Sequence, residues 1–250
     1  MLQMLVILLQ KERRVTIERL ATLFAQPIQF ESRRRTIQRF LVLPQLSIHA
    51  LWFPILKHWL KINLKPTKQV KLAIDRTQWR ERNLFVVSLV WDKRAIPIYW
   101  QILPKIGSSN FAEQKALLIP VLCLLKHYTI ILVADREFHS VKLANWLVHK
   151  QVLFALRQKK GSYIQQEGKE FHRLAALELK PGVSLYLRQV QVTKQTGFGK
   201  FDVAGYWQRN YRDKKADEPW YILTTRSRQC RGGGCCFQIS LWHGSYVQRL

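Results

Sequence analysis

From Val70 onward the chain alternates short apolar runs with polar turns, and the runs are rich in β-branched and aromatic residues. VKLAIDRTQW (70–79), NLFVVSLVWD (83–92) and AIPIYWQIL (95–103) read as three successive strands, which suggests a meander. The stretch from Phe111 to Lys126 is helical in pattern. TIILVADREF (129–138) is a short, wholly apolar strand that runs into a carboxylate. A helix near Ser140 to Lys150, a strand VLFALR (152–157) and a polar, β-rich stretch over 161–213 follow. Three strands, helix, strand, helix, strand is the order of an α/β protein, a mixed sheet with helices on its faces. No internal repeat interrupts it.

The first 68 residues carry helical periods instead. MLQMLVILLQ reads as a buried helix, and two shorter apolar patterns follow, Ile17, Leu20, Ala21 and Phe24, then Ile37, Phe40 and Leu41. Pro27 separates them. Glu31 and Ser32 can open the second, whose polar side then displays Arg33, Arg34, Arg35 and Arg39. That is the arrangement of a small helical DNA-binding unit, or else of an ordinary helix with a solvated basic face. LWFPILKHWLKINL predicts one more apolar helix before the strands begin.

Charge changes the picture more than length does. Lys and Arg number 41 against 16 Asp and Glu, a formal net charge of +25 in 250 residues. Such a chain repels itself unless a polyanion neutralises it, and nucleic acid is the leading partner. A membrane surface is disfavoured because the charge is spread along the chain rather than gathered beside an apolar segment. The opening segment lacks a cleavage site, and ALLIPVLCLLKHYTIILV is broken by Pro120, Lys126 and His127, so a soluble cytoplasmic protein is expected. Four cysteines, three of them at Cys230, Cys235 and Cys236, make neither a disulfide framework nor a zinc site.

Two carboxylates stand out. Asp75 follows the apolar run LAI and Asp135 follows ILVA, and each is followed by Arg. Carboxylates at the ends of adjacent buried strands repel unless a cation lies between them, and a hard divalent ion supplies it. Such an ion keeps waters and completes its shell with phosphate oxygens. The corresponding chemistry is phosphoryl transfer, in which two ions about 4 Å apart activate an attacking hydroxyl and stabilise the leaving oxygen. A third carboxylate is needed to complete both sites. Arg76, Arg136, Arg157, Lys159 and Lys160 are the basic residues expected nearest a DNA backbone. Glu137 and Glu113 are less suited as ligands: the first projects differently from Asp135, and the second is favoured by a helix dipole. His139 reads as a turn residue, and Trp79 as core or a base-stacking platform.

LAIDRTQW, IGSSNFAEQ, VADREFHS and LRQKKGSYI, in this order and spacing, resemble the insertion-sequence-four family of DDE transposases. The resemblance runs from the amino terminus to about Thr225. It implies a ribonuclease H-like fold, cleavage of DNA at the ends of a mobile element and joining to target DNA, with Mg²⁺ or Mn²⁺, by a homo-oligomer on double-stranded DNA in the bacterial nucleoid. It makes Asp75 and Asp135 the first two members of the catalytic triad. The implied division is a helical DNA-binding region (1–68), the first part of the core (69–160), a β-rich insertion (161–213), a return strand (214–225) and an aberrant tail (226–250).

The third member, a Glu on a final helix, is missing from its expected place. After Tyr221, Ile222 and Leu223 the composition shifts abruptly to RSRQCRGGGCCFQISLWHGSYVQRL, rich in Cys and Gly and without helical period. Read one nucleotide forward, the codons of Trp242 and His243 force Gly. The neighbouring codons permit Arg-Tyr before it and Met-Glu-Ala-Met-Phe-Lys-Asp after it, with the Glu falling across Gly244 and Ser245. That string resembles the family's missing motif, so the expectation is a truncated or frameshifted transposase, inactive or weakened. The alternatives are a non-catalytic DNA-binding remnant that inhibits the intact enzyme, and a structural nucleic-acid protein, which gives no reason for paired carboxylates. Without the final helix, the sheet around Val70–Ile74 and Ile131–Val133 is expected to be exposed.

Overall fold

The computed structural model describes residues 1–12, 15–65, 69–92, 94–194, 197–207 and 218–225. The tail 226–250, with its three cysteines and its reading-frame argument, lies outside them. The chain divides into two compact units, Met1–Leu60 and Lys61–Leu250.

In the first unit, α1 (Leu2–Glu12), α2 (Ile17–Leu23) and α3 (Phe30–Leu41) enclose a core of Leu5, Leu20, Ala21, Phe24 and Ile37. Thr16 caps α2, and α3 starts behind Gln29 rather than at Glu31. The opening segment is a helix, but it is not a buried one. Leu5 is its single buried residue, while Val6 and Ile7 are exposed, because a short helix in so small a cluster covers only one stripe. A π-helical turn (Ile48–Trp52) leads into α4 (Phe53–Asn63), which reaches the boundary of the second unit.

Among the described residues the second unit is built on one ten-stranded sheet. Its first five strands are β1 (Gln69–Trp79), β2 (Arg82–Trp91), β3 (Arg94–Leu103), β4 (Thr129–Ala134) and β5 (Leu153–Gln158). They lie side by side in the order β3-β2-β1-β4-β5, with β2 antiparallel to its neighbours and β1, β4 and β5 parallel. This is the expected ribonuclease H-like arrangement. Pro97 sits in β3, the sheet's edge, where a missing donor is tolerated. The crossovers run through α5 (Phe111–Leu124) and α6 (Val141–His149). Both parallel connections step in the same direction, so right-handed crossover puts both helices on one face.

The β-rich stretch does not form a sheet of its own. β6 (Tyr163–Gln165), β7 (His172–Arg173), β8 (Ser184–Val192) and β9 (Lys200–Tyr206) join the same sheet through β10 (Trp220–Thr224), in the order β5-β10-β9-β8-β6-β7. Within it, the buried carboxylate of Asp202 accepts from the Tyr186 hydroxyl (2.7 Å) and from the Gln189 backbone amide (2.9 Å), fixing an irregularity in β8.

The expected exposed sheet face is absent. Val70, Leu72, Ile74, Ile131 and Val133 are all buried. On the face opposite the helices, Ile131, Val133, Ala155, Ala204 and Ile222 form a cluster packed by Leu153, Tyr186 and Trp220. Ala204 of β9 and Ile222 of β10 extend this apolar face beyond β5. No described helix is long and apolar enough to cross a membrane.

Candidate active site

The register of the central parallel pair builds the site. β1 and β4 pair in step from Gln69↔Thr129 to Ile74↔Ala134, so Asp75 and Asp135 are the next residues along two strands that such a ladder holds about 4.8 Å apart. β1 does not end at Asp75. It runs four residues further, still paired with β2 out to Trp79↔Arg82, so the carboxylate sits inside one strand and just past the end of the other. Asp135 keeps an extended backbone (φ −77°, ψ −179°) before the chain turns into a short 3₁₀ segment, Arg136–Phe138. Phe138 anchors that turn, buried and stacked on Phe85 with ring centroids 5.6 Å apart.

The row continues across the sheet. Ala134 pairs with Leu156, and Ile222 with Arg157, so Asp75, Asp135 and Arg157 follow one another on the face opposite the helices. Arg157 Nη1 lies 3.3 Å from Asp135 Oδ1, and its guanidinium lies 4.2 Å from the Trp220 ring. Burial pulls the Arg157 guanidinium below its ordinary value, while Asp135 and Glu218 push it back up. Arginine in this range stays charged at neutral pH. Asp135 is half-exposed. No hydrogen bond or ion pair is made by the Asp75 side chain among the described residues.

Alternation sends the neighbouring side chains to the other face. Arg76 grips Glu137 through its Nε (2.5 and 2.6 Å to the two oxygens) and Asn83 through Nη1 (2.8 Å). Asn83 in turn donates to the Gly107 carbonyl, and Glu137 accepts from the Ser109 amide and hydroxyl. Both ends of the Arg76–Glu137 pair are largely buried. Arg76 is therefore committed to holding the 107–110 loop, and Glu137 points away from Asp135. Glu113 completes a capping box with Asn110 at the start of α5 and pairs with Lys105 (2.7 Å). Burial alone would raise its carboxyl, but Lys105 and the Asn110 amide bring it below its ordinary value.

The remaining basic candidates divide into engaged and open groups. Arg33 is turned inward, its Nη1 on the Phe24 and Thr22 carbonyls at the end of α2, and Arg34 pairs with Glu31 (3.1 Å). Arg35 and Arg39 are exposed on α3. Lys159 is exposed and lines a groove of about 530 Å³ with His139, Lys142, Tyr163 and Phe198. Arg136 and Lys160 converge with Arg157 on Glu218. His139 makes the turn contact expected of it, Nδ1 to the Arg136 carbonyl (2.8 Å), and burial beside Lys159 holds its pKa down. Trp79 is exposed, with Arg80 over its ring.

Glu218 is the residue that sequence reasoning missed. Its signal was available, since it is an acidic residue immediately before an apolar run, EPWYILTT, in a strongly basic chain. The three cations around it hold its carboxyl below the usual range, Lys160 foremost, against a smaller opposing effect of burial.

Adjacent carboxylates, one of them without a protein partner, offer hard oxygen donors suited to a divalent cation. Among the described residues no group of three metal-ligating side chains converges.

No protein-family model matches the sequence, and no curated protein matches it. Among solved structures, the chain is similar to a piggyBac transposase in a synaptic complex with hairpin DNA, at TM-score 0.49 and 10% identity over 96% of this chain and 54% of that one. It is also similar to Marinitoga piezophila Argonaute bound to 5′-OH guide RNA and target DNA, at TM-score 0.32 and 8% identity, over 72% of this chain and 26% of that one. The chain thus spans about half the length of the transposase it matches.

Proposed function

We propose that this protein is a DNA transposase of the DDE type, of the insertion-sequence-four kind, acting on double-stranded DNA at element ends and target sites as a homo-oligomer in the bacterial nucleoid. The observation that carries the reading is the in-register placement of Asp75 beside Asp135 at the end of the central parallel pair, in a chain of net charge +25. Asp75 and Asp135 would hold Mg²⁺ or Mn²⁺, which when bound supplies Lewis-acid activation of a phosphodiester and of the attacking hydroxyl. The chain's own residues would do the positioning. Arg157 orients Asp135, the Phe138–Phe85 stack fixes the turn that carries it, and the exposed lysines and arginines neutralise the backbone without reading bases.

We further propose that the segment after Thr225 is out of frame and that catalysis is weakened for want of the third carboxylate. The test is Mn²⁺-dependent nicking of supercoiled plasmid by this chain and by a chain with the frame corrected after Thr225. Strong nicking by the corrected chain, abolished by Asp75→Asn, is the expected result. No nicking by either, with duplex binding intact, would favour the second reading, a DNA-binding remnant that occupies element ends. Two described carboxylates without a third are the observation that keeps that reading in play.

A further inference from the structure

Three cations meet one carboxylate beside the aspartate pair. Arg136 Nη1 lies 2.5 Å from Glu218 Oε1, Arg157 Nη2 lies 3.1 Å from the same oxygen, and Lys160 Nζ lies 2.9 Å from Oε2. Counting Asp135, the cluster holds three positive charges against two negative ones. A group needed only to brace the fold would bury its partners, yet the Arg136 and Lys160 side chains are 46% and 48% exposed. Arg157 is the buried member, at 11%, and it does not depend on Glu218 for its position, because Asp135 and the Trp220 ring hold it as well. Glu218 itself lies outside the regular strand, two residues before β10 begins. It can swing away without breaking a ladder bond.

We propose that Arg136, Arg157 and Lys160 form a phosphate-binding site whose internal occupant is Glu218, so that a DNA backbone phosphate entering beside Asp135 must displace that carboxylate. A glutamate carboxylate and a phosphodiester present the same chemistry to this cluster, oxygens that accept charge-assisted hydrogen bonds from guanidinium and ammonium groups. The arrangement lowers affinity for arbitrary DNA and admits only a backbone held firmly enough to supplant Glu218. It rests on the DNA-processing reading for the identity of its ligand, though not for the existence of the anion site.

The experiment measures binding of a fluorescein-labelled 20-base-pair duplex by anisotropy across a KCl series, for the full chain and for Glu218→Gln, together with the rise in melting temperature that inorganic phosphate produces in each. Glu218→Gln is expected to bind duplex up to roughly fivefold more tightly, with a log Kd against log salt slope steeper by about one, and to gain more from phosphate than the unsubstituted chain does. In an Arg136→Gln, Lys160→Gln background the gain should vanish. If Glu218→Gln does not fold, Glu218→Asp, too short to reach all three cations, should move affinity in the same direction by less. Unchanged or weaker duplex binding together with no gain from phosphate overturns the proposal and makes Glu218 a brace. A gain from phosphate with no duplex bound by any variant supports the anion site and counts instead against the DNA reading.

Discussion

The two faces of the sheet where β1 passes the end of β4 are built from consecutive residues and behave as opposites. On the helix side, Arg76, Glu137, Asn83 and Ser109 satisfy one another in a closed, largely buried network. On the other side, Asp75 and Asp135 stand next to each other, and among the described residues Arg157 is the one ion-pair partner, to Asp135. The Asp75-Arg76 step thus sends one residue to each network, whereas Arg136, after Asp135, joins Arg157 on Glu218. On the helix side every charge is matched, whereas the juxtaposed carboxylates of Asp75 and Asp135 are the arrangement on which the proposed chemistry rests.

The contrast can be broken most forcefully through Phe138. Phe138→Ala removes a fully buried ring stacked on Phe85 and should cost about 3–5 kcal/mol in urea unfolding; a loss below about 1 kcal/mol would mean that the turn carrying Asp135 is held by something else. Glu137→Ala comes next, since it strands the Arg76 guanidinium beside the Ser109 loop, and a loss of roughly 1–3 kcal/mol is expected. Asp75→Asn should go the other way. Relief of repulsion with Asp135 makes it neutral or slightly stabilising, by up to about 1 kcal/mol, and a melting temperature lower than that of Glu137→Ala would erase the distinction between the faces.

Much of this was legible in the pattern of the chain. The apolar runs ending near Asp75 and Asp135, with helices between the parallel strands, are enough to place both aspartates on one sheet. Parallel register could not be read, because period-two alternation fixes which face a residue occupies but not which partner it meets. For the same reason the helix-side pairing of Arg76 with Glu137, 61 positions apart, was invisible, and Arg76 looked like a DNA contact. The continuation of β1 past Asp75 to Trp79 agrees with the run VKLAIDRTQW. Glu218 escaped notice because its meaning depends on three cations, Arg136 from the turn after β4, Arg157 from β5 and Lys160 just past it, none of them near it in sequence.

The smallest effect concerns pH. Burial keeps the His139 pKa below its ordinary value, so the folded state binds fewer protons there than the unfolded chain. That contribution to stability is fully present above the unfolded value of about 6.5 and is lost as pH falls through the folded value. A melting-temperature profile between pH 7.5 and 5 should flatten in His139→Gln; an unaltered profile would assign the slope to other groups.

The most direct test of the aspartate pair as a cation site is Mn²⁺ binding followed by electron paramagnetic resonance, with the unsubstituted chain compared to Asp75→Asn and Asp135→Asn after each is shown to melt cooperatively. Saturable binding of one ion, lost in both variants, is the expected result. Equal binding by all three proteins, or none by the unsubstituted chain, would contradict it.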